Sequence, residues 1–166
     1  MRPWKWPTST RRLVKTSRRR CAREWVLRAL YAGEMTEGDS GNLLAELLEH
    51  DPPDDIDEPF ASRLYEGVRL ASSRFDGEIE AQLENWDLNR LALIDLLLLR
   101  MALVELDRFP DVPPSVTLNE IIELAKRYSG AESGGFVNGV LDGIMKQRED
   151  PGRAPGTGHA GGSAKA

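Results

Sequence analysis

The run from Asp87 to Leu106 constrains the fold more than any other stretch of this chain. It is rich in leucine and contains no glycine or proline, so it favours one long helix. Single charges at Asp95, Arg100 and Glu105 separate its apolar blocks. Because a helix advances by about 100° per residue, charges five residues apart spiral round it and leave apolar groups facing nearly every direction. Such a helix is buried on several sides, and it predicts the central helix of an all-helical domain.

Composition narrows the class of protein further. A chain of 166 residues fits one domain with a sizeable core. The single Cys21 excludes an internal disulfide and a cysteine-rich zinc site, and it fits a reducing compartment. A reducing compartment agrees with a cytoplasmic location, which we expect. No Ser/His/Asp or Cys/His set can be assembled, so we expect no catalysis, cofactor or metal. A membrane span would need about 20 largely uncharged residues, which the central run does not offer.

The net charge of −5 is distributed unevenly along the chain. Residues 1–28 hold ten Lys or Arg and one acid, Glu24, whereas the remainder carries a net −14. An acidic body with a basic end indicates a polyanionic partner at that end. We predict a flexible basic arm at 1–17, a helical domain at 18–148 and a disordered Gly/Ala-rich tail at 149–166. A transit peptide is left open for the acid-free N-terminal stretch.

Apolar residues at spacings of three and four predict about seven helices. We place them at 18 to about 32, 42–50, near 59 to about 74, 75 to about 85, 87–106, 117–128 and 136 to about 148. Gly33 is expected to end the first helix or to begin its fraying, and Asp87 is expected to cap the central helix. Thr117 and Glu120 have the spacing of a capping box. A loop is predicted at 129–135, with Ser133 as the cap of the last helix.

Arg18, Arg19, Arg20 and Arg23 are the sharpest local feature, because they crowd the start of the first helix. Arginine presents a fork of donors that matches phosphate oxygens and a flat face that stacks on bases. Four cations there should repel one another and oppose the helix dipole, and a phosphate backbone would relieve both effects. Nucleic acid is therefore the favoured partner. An acidic membrane surface and a merely solvated helix start stay open.

Four sequence blocks together resemble the NusB family of bacterial transcription antitermination factors. Their most specific features are Val-Pro followed by Asn-Glu and Glu-Leu-Ala-Lys, and then Phe-Val-Asn-Gly-Val-Leu-Asp. The blocks are Arg19–Tyr31, Leu93–Leu106, Asp111–Arg127 and Phe136–Asp142. With the connecting helices, the resemblance covers about residues 17–147.

The resemblance implies two small helical bundles joined through the long central helix, and no catalysis. It implies that the chain binds boxA RNA as a heterodimer with NusE, a basic ribosomal protein of the small subunit. It further implies that this complex joins RNA polymerase and other Nus factors and suppresses premature termination, notably on ribosomal RNA operons. Whether the free protein forms a homodimer is left open.

The resemblance also assigns roles to single residues. The arginine-rich motif of the family falls on Arg19, Arg20 and Arg23, with Arg18 just ahead, while Cys21 stands where a third basic residue is common. The RNA-binding surface continues to Phe136, which could stack a base, and to Asn138, which could read a base edge. Core packing is the alternative for Phe136. In the central helix, Asp95 matches an acidic position of the NusE-binding face.

Two other functions compete with this one. The first is a helical protein–protein adaptor that does not read RNA directly. The second is a NusB-like module of the kind fused to ribosomal RNA methyltransferases, but after residue 147 we expect no room for the α/β domain such an enzyme needs. The three charges of the central helix likewise have two readings, since they either pair with neighbouring helices or face a partner.

Overall fold

The computed structural model describes residues 17–36, 41–84 and 87–152, and within these ranges it is all-helical, without a strand. It has six α-helices and one short 3-10 turn, which confirms the predicted class. The helices are α1 (Arg18–Met35), α2 (Leu43–His50), α3 (Glu58–Glu80), α4 (Leu93–Arg108), α5 (Pro114–Tyr128) and α6 (Ala131–Glu149), with the 3-10 turn at Leu88–Arg90. The predicted arm apart from Ser17, and the predicted tail after residue 152, lie outside the described residues.

The central helix α4 joins two groups of helices, as expected. On one side it packs against α3 and α1, and α1 in turn contacts α2 and α3. On the other side it packs against α5 and α6, which contact each other extensively. Residues 97–99 and 101–104 of α4 are all at most 1% exposed, so the all-round apolar pattern does mark a helix covered on several sides. Among the described helices, none combines the length and the low charge that a bilayer crossing requires.

The predicted third and fourth helices are one continuous helix, α3, so the boundary placed after Arg74 is wrong. No residue there breaks a helix, and Phe75 and Ile79 continue the buried face that includes Leu64 and Val68. Asp57 starts α3 by accepting a hydrogen bond from the backbone N–H of Phe60 at 3.1 Å, as an N-cap does.

Three of the predicted helix starts are also wrong. Asp87 caps the 3-10 turn through the N–H of Asn89, and α4 begins six residues later at Leu93. Helix α5 begins already at Pro114, where the fixed φ of proline suits a first turn, so Thr117 lies inside the helix and caps nothing. Helix α6 begins at Ala131 and includes Ser133.

Glycines explain two further features of the helix ends. Gly33 does not end α1, which continues to Met35, because one glycine inside a helix costs only about 1 kcal/mol. The loop between α5 and α6 is shorter than predicted and turns at Gly130, whose φ of 140° favours glycine.

Candidate nucleic-acid interface

The first turn of α1 presents three consecutive arginines, Arg18, Arg19 and Arg20, which we call the arginine row. Ser17 fixes the start of the helix by accepting a hydrogen bond from the backbone N–H of Arg20 at 3.1 Å, as a serine N-cap does. The side chains of the row are between 39% and 62% exposed. The predicted cationic surface is therefore open to solvent at these three positions.

Each arginine of the row is already paired with a carboxylate. Arg18 Nε lies 2.8 Å from Asp55 Oδ1, and Arg19 Nη2 lies 2.8 Å from Asp111 Oδ2. Arg19 Nε also reaches Asp57 at 3.3 Å. The hydrogen bond to Asp111 raises the pKa of Arg19, and Arg19 in turn lowers the pKa of Asp111. The mutual repulsion expected among the arginines is thus relieved within the protein itself.

Arg20 forms the tightest pair of the row. Its Nε and Nη2 donate to the two carboxylate oxygens of Glu120 on α5 at 2.7 and 2.5 Å, the bidentate geometry in which arginine binds carboxylates best. The hydrogen bonds from Arg20 lower the pKa of Glu120, although partial burial of that carboxyl opposes the shift. Glu120 was predicted to complete a capping box. It instead ties the arginine row to the second group of helices.

Arg23 does not belong to the exposed row, because its side chain is only 2% exposed. It donates from Nε to Glu105 Oε2 at 2.9 Å and from Nη2 to Glu105 Oε1. The hydroxyl of Thr117 donates to the same Glu105 oxygen at 2.8 Å. The structure therefore places Arg23 in the core, as the counter-ion of a fully buried glutamate, and in this conformation it offers no surface to a phosphate.

The three charges of α4 divide between the two readings given to them. Glu105 pairs with Arg23, and Arg100 donates from Nε and Nη2 to Asp76 of α3 at 2.8 and 2.9 Å. Asp95 is different, because it is 6% exposed and its Oδ1 is buried without a hydrogen-bond partner among the described residues. A buried polar atom left unpaired is costly, so Asp95 is the charge that a partner could complete.

Asp95 lines a cavity of about 670 Å³ between the start of α4, the 3-10 turn and α6. Half-buried Phe136 lines the same cavity, and no member of the arginine row does. Asn138, two residues after Phe136 in α6 and so about 200° further round the helix, is exposed. The full lining is Gln82, Leu83, Glu84, Arg90, Leu91, Ala92, Asp95, Glu132, Ser133, Gly135, Phe136, Gly139, Val140 and Gly143. The structure thus brings Phe136 together with Asp95, two residues predicted for different partners.

A third buried carboxylate, that of Glu24, holds α1 against the end of α5. Glu24 accepts hydrogen bonds from the Tyr128 hydroxyl, from Arg28 at 3.4 Å and from Arg127 at 3.3 Å. Burial, together with the bond to Glu24, raises the pKa of Tyr128. Because Arg20 and Glu24 both bind α5, this cluster fixes the helix that carries the arginine row relative to α5.

The carboxylates that pair with the row were not found by reading the sequence. The sequence patterns assign no role to Asp55 or Asp57, and Asp111 enters them only as the first residue of the third family block. Arg19 and Asp57 are 38 residues apart, and Arg20 and Glu120 are 100 apart, so no local spacing links them. The one available signal was the excess of acids in the body of the chain. In the part of the chain that the structure describes, no group of His, Cys, Asp and Glu could hold a metal ion.

The all-helical fold, with an arginine row on its first helix and, among the described residues, an unpaired oxygen of Asp95 beside a cavity, has the features of a binding protein. The model of the NusB family matches residues 20–146, and the chain belongs to that family. It is therefore a relative of transcription antitermination factors and not an enzyme.

Named relatives and solved structures agree with this assignment. The transcription antitermination protein NusB of Salinibacter ruber is 44% identical over 146 residues, which cover 86% of this chain and 89% of the relative. That of Geotalea uraniireducens is 38% identical and covers 81% and 98%. The structure of T. maritima NusB matches with a TM-score of 0.69 at 39% identity, covering 82% and 93%. A chain in the crystal structure of antitermination factors NusB and NusE in complex with dsRNA matches with a TM-score of 0.69 at 28% identity, covering 77% and 96%.

Proposed function

We propose that this chain is a transcription antitermination factor that binds boxA-type RNA together with NusE. The observation that carries the proposal is the arginine row, three surface guanidiniums at successive positions of a capped helix start. The membership in the NusB family and the similarity to a chain of a NusB–NusE–RNA complex support it.

The arginine row would bind the RNA backbone by exchanging its carboxylate partners for phosphates. A guanidinium can direct two parallel N–H groups at one phosphate. We assign this contact to Arg18, Arg19 and Arg20, and we assign Arg23 the task of keeping the helix in place. Asn138 is free to read a base edge, since it is exposed. Phe136 would stack on a base only through the face that the cavity leaves open.

Asp95 would bind NusE, the basic partner. Its buried Oδ1 lacks a donor among the described residues, and the cavity beside it also contains Glu132 and Glu84 against one cation, Arg90. A lysine or arginine of NusE reaching into this cavity would complete the carboxylate and neutralise an acidic pocket. The heterodimer would then join RNA polymerase and other Nus factors in the cytoplasm. If the free protein forms a homodimer through the same face, that homodimer would have to dissociate before NusE binds.

The test is a titration of a boxA RNA and a scrambled RNA of equal length, with and without NusE. If three arginines contact phosphates, changing all three to Ala should reduce the salt slope of single-stranded RNA binding by about 2, taking about 0.7 per contact. Arg74→Ala is the matched control, because Arg74 is also an exposed arginine paired with carboxylates. If the variant with all three arginines changed to Ala loses NusE binding while its RNA affinity stays unchanged, the arginine row contacts protein, which favours the adaptor function. If the parent chain shows no preference for boxA RNA with NusE present, the proposal is overturned.

A further inference from the structure

Among the described residues, the surface around the arginine row is not a basic patch. The row contributes three positive charges, whereas Asp55, Asp57, Asp111 and Glu120 contribute four negative charges within ion-pairing distance of it. Even with buried Arg23, which lies 3.9 Å from Glu120, the described neighbourhood carries no net positive charge, although it is the proposed RNA site. A phosphate approaching it meets carboxylates and guanidiniums at once.

We propose that Asp55 and Asp111 are specificity-determining residues, which compete with RNA phosphates for Arg18 and Arg19 and so weaken the binding of RNA that does not fit. This inference rests on the proposed RNA-binding function and adds a negative component to it. Specificity of this kind comes from penalising the wrong ligand as well as from attracting the right one.

The geometry singles out these two of the four carboxylates. Asp55 and Asp111 are 52% and 56% exposed, and for each the contact with the row is its only ion pair in the described parts of the chain. Asp57 also caps α3, and Glu120 is largely buried between α1 and α5. Asp55 and Asp111 hold no helix end or core contact, so neither has a structural task that would account for its place beside the row.

Their exposure makes the pairs easy to exchange. Ion pairs between exposed side chains are weak, and each lowers the affinity of its arginine for a competing phosphate by a factor of about two to five at most. An RNA whose phosphates match the positions of Arg18, Arg19 and Arg20 replaces the carboxylates together. An RNA that reaches only Arg18 or Arg19 unmasks the carboxylate of that one pair, which then lies beside the bound phosphate, and it gains nothing from the arginines that stay paired. Like charges placed opposite each other disfavour such a complex.

A positioning role for the same carboxylates makes the opposite prediction. If Asp55 and Asp111 mainly hold the arginine side chains in the conformation that RNA needs, their removal should weaken binding, most of all to boxA RNA. Competition predicts tighter binding, most of all to scrambled RNA. The sign of the change therefore separates the two roles.

The experiment uses the full-length chain with Asp55→Asn, Asp111→Asn and both together. Glu80→Gln is the matched control, because it removes one exposed negative charge at the far end of α3, about 33 Å from the start of that helix at 1.5 Å per residue. Fluorescence anisotropy gives the Kd for boxA RNA and for scrambled RNA at one salt concentration, and circular dichroism verifies the fold of every variant.

We expect the double variant to bind scrambled RNA about 4- to 25-fold more tightly than the parent chain, as two exposed pairs allow. The preference for boxA RNA should fall at least about threefold, and Glu80→Gln should change neither value appreciably. Weaker binding, no change beyond the control, or equal tightening for both RNAs would overturn the inference. If the parent chain binds neither RNA and the arginine row variants behave like it, the proposed function itself fails. If the parent chain binds boxA RNA through the row but the aspartate variants do not bind scrambled RNA more tightly, the inference alone fails.

Discussion

The buried pair of Arg23 and Glu105 shows how a buried arginine can be grouped with exposed arginines that lie beside it in the sequence. All four arginines share one short segment, and only the packing of α1 on α4 decides that Arg23 points inward. Sequence spacing could have given a hint, because Arg23 lies one residue after Ala22 and four before Leu27, both fully buried. The partner Glu105 was seen as a charge in need of a counter-ion, but no local pattern connects residues 82 positions apart.

Arg23→Ala should therefore destabilise the fold rather than simply weaken RNA binding. Removing one member of a buried ion pair leaves the other charge uncompensated and costs about 3–5 kcal/mol. Urea unfolding followed by circular dichroism should show a loss of this size, whereas Arg19→Ala, at an exposed pair, should cost less than about 1 kcal/mol. Equal and small losses for both variants would mean that Arg23 is not the counter-ion of Glu105 in solution.

The thiol of Cys21 should react slowly with disulfide reagents, although the side chain is partly exposed. Burial, with a smaller contribution from the negative charge of Glu24, raises its pKa to about 11, so little of the reactive thiolate exists at pH 8. The rate of reaction with a disulfide reagent at pH 8 should increase strongly when the chain is unfolded in denaturant. A native thiol that reacts as fast as the unfolded one would contradict the raised pKa.

At the scale of elements, the apolar periodicity predicted where the helices lie better than it predicted where they begin and end. The apolar spacings located every helix, and the absence of an apolar stripe correctly marked α4 as central. The division of α3 failed because an uninterrupted helix and two helices in register share the same apolar spacing. The starts of α4, α5 and α6 failed because capping residues also occur in turns and inside helices, as Asp87, Thr117 and Ser133 do. Only tertiary contacts decide between these uses.

The crossing of α3 and α4 offers a test with an internal control. A Cβ added at Gly67 would lie 2.5 Å from Val104 Cγ1, whereas one added at Gly77 of the same helix would meet nothing within 4 Å. Gly67→Ala should lower the free energy of unfolding by about 1–3 kcal/mol through overpacking. Gly77→Ala should raise it by up to about 1 kcal/mol, because alanine is the better helix former. Chemical denaturation measures both, and a stabilising Gly67→Ala would show that the two helices are not in close contact.

At the scale of the whole molecule, the arginine row and the cavity beside Asp95 lie on different parts of the same helical domain, and of the proposed RNA contacts only Phe136 lines that cavity. The arginine row is tied to α5 through Glu120, and α5 packs along α6, which forms one wall of the cavity beside Asp95. The class of fold and the family were accessible from the sequence, whereas the residues assigned to both sites remain predictions. The depth at which each side chain lies was not, since burial depends on how separate helices meet. That depth distinguishes the exposed arginine row from Arg23 and the paired Arg100 from the unpaired Asp95.

Asp95→Asn should separate the partner function from stability. The amide keeps the shape of the carboxylate but removes a buried charge whose Oδ1 has no donor in the described chain, so the free protein should keep its stability or gain up to about 1–3 kcal/mol. Affinity for NusE should fall by about 2–5 kcal/mol, the cost of truncating one partner of a buried charge pair. Calorimetric titration with NusE and thermal unfolding of the free chain measure the two effects. If Asp95→Asn instead unfolds the domain, Asp95 has an internal partner in solution and the NusE interface lies elsewhere. If the domain stays folded and binds NusE as before, the cavity beside Asp95 is not part of that interface.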